Sequence, residues 1–385
     1  MFRDDERTRV VEGAGGLDRL GALARELGAS RALLVSDPGV AAAGHAARAE
    51  ALLGAEGLAV EAYLDAAENP SSDDVALAAE VARAFRPDLY VAVGGGSAID
   101  TAKGANFVEV CGGRMQDYRG HDTATSPLRP LIAVPTTAGT GSEVQSFALV
   151  GDGEGGGKMA CGDPSAAPRV ALLDPELTVT MPRRVTAITG LDTLAHAVES
   201  AVARPRDPGT DGRSRGYAAA AFALVSRSLP RVLDAPEDLE ARADMMRASA
   251  LAGLAIEHAM LGVAHSMANP LTRHHGVPHG LAVGLMLPHV VRFNAASGDA
   301  LPTYAELARG AGLEGADDAA LAAALADRCA ALLARAGLAA GLGELGIGTA
   351  DLAPLAREAS EQWTAGFNPR DVDAAALEGL LAAAL

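Results

Sequence analysis

The feature that most constrains this chain is a change of texture near residue 180. Before it, short β-rich runs alternate with helical patterns. RALLVSD (31–37) is an apolar run ending in a turn, Ala-rich helical spacing follows through Leu53, and LAVEAYL (58–64) reads as a strand. ENPSSDD (68–74) offers a proline turn and Ser/Asp helix caps, after which VALAAEVARAF repeats apolar positions at helical spacing. DLYVAVGGGS (88–97) and LRPLIAVPTT (128–137) read as buried strands running into polar loops. Such alternation predicts a parallel sheet with crossover helices. Beyond the change, AITGLDTLAHAVESAVA, YAAAAFALVSRSL, LEARADMMRASALAGLAI, HGLAVGLMLPHVVRF and DAALAAALADRCAALLARAG are long, Ala/Leu-rich and poor in strand signals. ARPRDPGTDGRSRG (203–216) reads as a polar loop between two of these helices. The expectation is a Rossmann-like α/β domain over 1–182 and an all-helical domain over 183–385, with a ligand cleft between them.

Charge narrows the partners. With 32 basic and 49 acidic residues the net charge is −17, which argues against a nucleic-acid backbone or an anionic membrane. Cys111, Cys161 and Cys329 are too few and too scattered for a disulfide framework or a thiolate metal cluster. The start, MFRDDERTR, has no apolar leader region, and no uncharged apolar run reaches about 18 residues, so a soluble cytoplasmic protein is expected. Only two of the 32 basic residues are lysines, Lys103 and Lys158. In a chain so biased toward arginine, a retained lysine points to a site that needs a compact point charge.

Three loops carry chemistry. In Gly94-Gly95-Gly96-Ser97-Ala98-Ile99-Asp100-Thr101-Ala102-Lys103, glycines end a strand and open a helix, so backbone amides and a helix N-terminus can face a phosphate. Ser97 is the expected cap of that helix. Pro135-Thr136-Thr137-Ala138-Gly139-Thr140-Gly141-Ser142-Glu143 follows another strand with three threonine hydroxyls, suited to phosphate and ribose contacts. Asp37, ending the 31–37 strand, suits ribose hydroxyls and repels a 2′-phosphate, favouring NAD over NADP; it also reads as a plain turn-former before Pro38-Gly39. The cluster Gly13–Asp18 lacks the third glycine of a dinucleotide fingerprint and is not the main phosphate loop.

Histidine is uneven: six of nine lie between His258 and His289. Asp192 and His196, four apart on a helix, share a face and can hold one ion together. His265 and His279 add two imidazoles fourteen residues apart. One carboxylate, three imidazoles and no thiolate suit Fe(II) or Zn(II) rather than Ca(II) or Mg(II). Each histidine taken alone reads equally as a hydrogen-bonded core residue.

GGGSAIDTAK (94–103), PTTAGTGSE (135–143), GLDTLAHAVES (190–200), HGVPHGLAVGLMLPHVVRFN (275–294) and Asn368-Pro369-Arg370 resemble the group III, iron-dependent alcohol dehydrogenases over nearly the whole chain. The resemblance implies a dehydroquinate synthase-like fold and metal-dependent hydride transfer between a small alcohol or aldehyde and NAD(P), by a homodimer or larger assembly. It makes Asp192, His196, His265 and His279 the ligands of Fe(II), with Zn(II) as the other ion. Gly94, Gly95, Gly96, Ser97 and Asp100 become pyrophosphate-loop residues. Thr136, Thr137, Thr140, Asp37, Asn69 and Lys158 become further cofactor contacts. Four residues after the third ligand the family usually has another histidine, near the nicotinamide; here it is Asn269. Asparagine cannot exchange a proton near neutral pH, which leaves His274 and His275 as relay candidates. Arg273-His274-His275 could also greet an anionic substrate. The alternatives are a metal-independent maleylacetate reductase-like enzyme, a dehydroquinate synthase-like lyase, or a nucleotide- or metal-binding protein without turnover.

Overall fold

The computed structural model describes residues 2–3, 6–154, 157–205 and 211–385, which form two units, Phe2–Met181 and Pro182–Leu385. Pro182 starts the second unit rather than ending the first, because it caps the helix that follows. No helix among the described residues is long and apolar enough to cross a membrane.

In chain order the first unit runs β1 (Arg9–Glu12), α1 (Leu20–Glu26), β2 (Arg31–Ser36), α2 (Pro38–Ala42), α3 (His45–Ala55), β3 (Ala59–Tyr63), α4 (Ser72–Phe85), β4 (Leu89–Gly94) and α5 (Gly96–Cys111). It continues with β5 (Gly120–His121), β6 (Leu131–Pro135), β7 (Phe147–Gly151), β8 (Lys158–Gly162) and β9 (Val170–Leu173). Six strands form one sheet in the order β1-β9-β6-β4-β2-β3, every neighbouring pair parallel. Successive side chains of a strand point to opposite faces, so the sheet feeds two separate cores. Leu33, Val35, Tyr90, Ala92 and Ala133 pack with α4 and α5 on one face. Ala32, Leu34, Val91, Val93 and Val134 pack with α1 and α3 on the other. The start of α4 follows the sequence closely: Ser71 accepts from the Asp74 N–H while Asp74 accepts from the Ser71 N–H, a reciprocal cap.

A second sheet, in the order β5-β8-β7, was not foreseen from the sequence. Its inward residues Ala148, Val150, Met159 and Cys161 join the core on the α4/α5 face. The glycine cluster at 13–18 is a structural turn, its Gly15 and Leu17 N–H groups held by the Asp174 carboxylate.

The second unit is helical throughout its described residues: α6 (Arg183–Val202), α7 (Asp211–Asp234), α8 (Leu239–His258), α9 (Val263–His275), α10 (His279–Ala295), α11 (Leu301–Gly310), α12 (Asp318–Ala336), α13 (Thr349–Ser360) and α14 (Ala374–Ala383). The loop expected over 203–216 is shorter, since α7 already begins at Asp211; residues 206–210 of that segment lie outside the described residues. Gly280 sets how closely α10 approaches α6. A Cβ there would stand 2.1 Å from the Ile188 carbonyl oxygen, so no other residue fits without moving a helix. That contact brings the first turn of α10, which opens with His279, onto the helix that carries Asp192.

Candidate metal centre and dinucleotide loops

Helix α6 presents Asp192, His196 and Glu199 on one face, because steps of four and seven residues are about one and two helical turns. His265 comes from the first turn of α9 and His279 opens α10. The three imidazoles converge on one carboxylate oxygen. Asp192 Oδ1 lies 3.5 Å from His196 Nε2, 3.7 Å from His265 Nε2 and 3.8 Å from His279 Nε2. His265 stacks on His196 with ring centroids 4.9 Å apart, and its centroid is 5.3 Å from that of His279. Ligand atoms of Asp192, His265 and His279 all lie within 4.8 Å of one another. His196 meets this group through Asp192.

Asp192 Oδ1 and His265 Nε2 are buried and have no hydrogen-bond partner. Interior polar atoms in a native protein are almost always satisfied, and an orphaned carboxylate oxygen is especially costly. A divalent ion among the four side chains would supply what both atoms lack, and the N/O donor set suits Fe(II) or Zn(II). The electrostatics agree. Burial pushes the Asp192 carboxyl up, but the facing imidazoles, His196 foremost, hold it well below the usual carboxylate range. Burial works against the His265 imidazolium, yet the Asp192 and Glu199 carboxylates raise it to about 9.

Glu199 lies within the GLDTLAHAVES motif, and its role emerges only from the structure. Its Oε2 lies 2.5 Å from His265 Nδ1, and its Oε1 accepts from the Ala264 N–H at 2.7 Å. A carboxylate on Nδ1 fixes the tautomer and leaves Nε2 as the ligand atom. Gly262 keeps this space open, since a Cβ there would stand 2.9 Å from Glu199 Oε1 and 3.0 Å from Asn368 Oδ1. Asn368 in turn forms a reciprocal amide pair with Asn294, at 2.8 and 3.0 Å. The available signal was a glutamate seven residues after Asp192, on the same face of α6 as Asp192 and His196.

The structure does not support His274 as a proton relay. Nine residues beyond His265 is about two and a half turns, which turns the side chain to the opposite face of α9. There His274 Nε2 pairs with Glu358 Oε2 at 2.6 Å, and Arg273 meets the same carboxylate at 3.3 Å. The Arg-His-His patch is therefore partly neutralised by Glu358. His275 is half-buried at the end of α9. Asn269, one turn beyond His265, donates from Nδ2 to Gln362 Oε1 at 3.0 Å.

In the first unit, register gathers the loop residues. Ser36 pairs with Val93 and Gly94 with Pro135, so the carboxyl ends of β2, β4 and β6 lie side by side. Asp37, Gly94–Gly96 and Thr136–Thr140 leave from that edge, where open parallel sheets bind ligands. The loops are in close contact. The Thr136 N–H donates to the Gly94 carbonyl at 3.0 Å, and a Cβ on Gly96 would stand 2.6 Å from Thr140 Cγ2. A Cβ on Gly94 would lie 3.1 Å from Asp37 Oδ2. Asp37 also caps α2 through the Val40 N–H, so the turn-former reading and a place beside the glycine loop hold together. Helix α5 starts at Gly96 with Gly95 as its N-cap and no side-chain cap, which leaves its first-turn amides to a ligand.

Ser97 therefore does not cap the helix; its Oγ accepts from the Asn69 N–H at 3.1 Å, which places Asn69 at this loop. Asp100, expected in the pyrophosphate loop, is buried and accepts from Ser142 Oγ at 2.6 Å. It braces the threonine loop from within, where a carboxylate does not meet a phosphate. Lys158 is exposed at the start of β8, paired with Gly151.

Amides and hydroxyls suited to a dinucleotide, and a buried centre suited to a divalent ion, are the requirements of metal-assisted hydride transfer. They are the parts that a metal- and dinucleotide-dependent oxidoreductase needs. The family profile for iron-containing alcohol dehydrogenase matches residues 7–175, and that for the C-terminal part of the Fe-containing alcohol dehydrogenase family matches residues 186–385. The chain belongs to the iron-containing alcohol dehydrogenase family. It is 34% identical over 365 residues to the NAD-dependent methanol dehydrogenase of Bacillus methanolicus, covering 94% of this chain and 93% of that one. The sulfoacetaldehyde reductase of Bilophila wadsworthia is 34% identical over 286 residues, covering 74% and 73%. A crystal structure of 1,3-propanediol oxidoreductase superposes with a TM-score of 0.93 at 31% identity, covering all of both chains.

Glu199→Gln keeps the shape but removes the charge that orients His265. Metal affinity, measured by competition with a chelator, is expected to fall roughly 10–100-fold. Unchanged affinity would show that Glu199 does not support the centre.

Proposed function

We propose that this alcohol dehydrogenase interconverts a small alcohol and its aldehyde using NAD and a single Fe(II) held by Asp192, His196, His265 and His279, with Zn(II) as the competing ion. The observation that carries the reading is the buried, unpartnered Asp192 Oδ1 with three imidazole Nε2 atoms within 3.8 Å. When bound, the ion supplies Lewis-acid polarisation of the substrate oxygen, and the nicotinamide accepts or returns the hydride. Glu199 holds His265 so that Nε2 is free to ligate. Gly95 and Gly96 with the first amides of α5 hold the pyrophosphate, and Thr136, Thr137 and Thr140 add contacts beside it. Asn69 and Ser97 extend this surface, and Lys158 adds a positive charge on β8. Asn269, fixed by Gln362, can orient a hydroxyl but not carry its proton; His275 is the imidazole left for that step.

A metal-independent reductase has no use for a carboxylate buried among three imidazoles, and Asp192 weighs against that alternative. A neutral small substrate is favoured over an anionic one, because Glu358 engages both Arg273 and His274.

The decisive experiment combines metal analysis with an NADH-linked screen of small aldehydes. His279→Ala should lose bound metal and turnover together, while His275→Asn should lower kcat and leave metal content intact. A metal-free His279→Ala protein with full activity would refute the centre, and an unchanged kcat in His275→Asn would remove the relay. Cofactor choice is tested at Asp37. Asp37→Asn keeps the cap of α2 and removes the charge that repels a 2′-phosphate. Its preference for NAD over NADP should fall about tenfold, equivalent to 1.4 kcal/mol. An unaltered preference would place the ribose elsewhere.

A further inference from the structure

Lys103 is one of two lysines among 32 basic residues, and it is almost wholly interior, 1% exposed in the second turn of α5. Its Nζ lies 2.7 Å from the Ser142 carbonyl oxygen, 2.9 Å from Ser142 Oγ, 2.8 Å from the Gln145 carbonyl and 2.9 Å from the Phe147 carbonyl. All four acceptors belong to one short stretch, which leaves the threonine loop and enters β7. Ser142 Oγ passes the connection on to Asp100 Oδ1 at 2.6 Å, and the Ser142 N–H reaches Thr140 Oγ1 at 3.3 Å. Thr140 is the residue that stands against Gly96.

We propose that Lys103 is a positioning residue for the dinucleotide: its buried ammonium pins the 142–147 strap, and through it holds Thr140 and its neighbours over the glycine loop. The inference rests on the reading of these loops as the cofactor site. An ammonium is a compact donor that can converge on several oxygens at once, whereas the planar guanidinium is a wider fork that does not match four acceptors clustered around one point. This accounts for a lysine in a chain that otherwise uses arginine. An apolar side chain of the same length would leave three backbone carbonyls without their donor and Asp100 without its cation. The strap would then be free to withdraw Thr140 from Gly96, while the metal ligands, all in the other unit, would keep their places.

The test is calorimetric titration of NAD+ into wild-type, Lys103→Arg, Lys103→Met and Ser142→Ala proteins, with metal content and steady-state kinetics on the same samples. Both Lys103 variants should bind NAD+ at least tenfold more weakly and show a raised KM for NAD+. Their kcat at saturating cofactor should stay within about twofold and metal content should be unchanged. Arginine, despite its charge, should fail to rescue. Ser142→Ala removes one tie and should weaken NAD+ about threefold, which decides the matter should the Lys103 variants not fold. Wild-type NAD+ affinity in a folded Lys103 variant or, where those do not fold, in Ser142→Ala would overturn the proposal. So would a fall in kcat and metal content without a change in NAD+ affinity. Absence of NAD+ binding by the wild-type protein would instead overturn the cofactor reading itself.

Discussion

The helical unit is organised around a charge that does not belong in an interior. Asp192 is buried, yet its carboxyl is held well below the usual range by the imidazoles that face it. Removing a carboxylate from water costs several kcal/mol even after relaxation, so such a group persists only where strong partners compensate. His196, His265 and His279 are those partners, and a divalent ion among them would complete the compensation. Glu199 and the Asn294–Asn368 pair lie behind the ligands. These buried polar groups tie α6, α9 and α10 together through specific partners.

The first unit solves a different problem, that of bringing backbone close to an anion. Its sheet aligns the carboxyl ends of β2, β4 and β6, and glycines let the loops after β4 and β6 touch. Buried polar side chains again hold the arrangement. Lys103, Ser142 and Asp100 form an internal chain of hydrogen bonds beneath loops whose outer face is left to amides and hydroxyls. Burial pushes the carboxyls of Asp100 and Glu143 up, that of Glu143 to about 7, while the Lys103 ammonium draws both back toward the charged form.

Much of this was legible in the sequence because it depends on short-range periodicity. Strand–helix alternation marked β2, β3, β4 and β6, and the helical stretches marked α6, α7, α8, α10 and α12. The spacing of four on α6, and the gathering of six histidines between His258 and His289, marked the candidate ligands. What escaped was decided by contacts far apart in the chain. The β5-β8-β7 sheet rests on two short antiparallel strands whose pairing depends on the core of α5. Helix α9 is short, contains Pro270 and ends in Arg273-His274-His275, which masks its apolar stripe of Val263, Met267 and Leu271. Ser97 reads as a cap in the sequence because the glycines before it obscure where the helix begins; in the structure α5 starts at Gly96. His274 is a relay candidate by residue type alone; the rotation of α9 turns it toward Glu358.

By itself the amino-acid sequence determined the class of each half and the identity of the four candidate ligands, since residue type and helical spacing are properties of neighbouring positions. Tertiary structure decided which side chains meet. It made Glu199 the partner of His265, turned His274 toward Glu358, buried Asp100, and placed Lys103 under the threonine loop. The physical reason is that hydrogen bonding and desolvation act through space: whether a charged group serves a ligand, another side chain or solvent depends on what the fold packs against it.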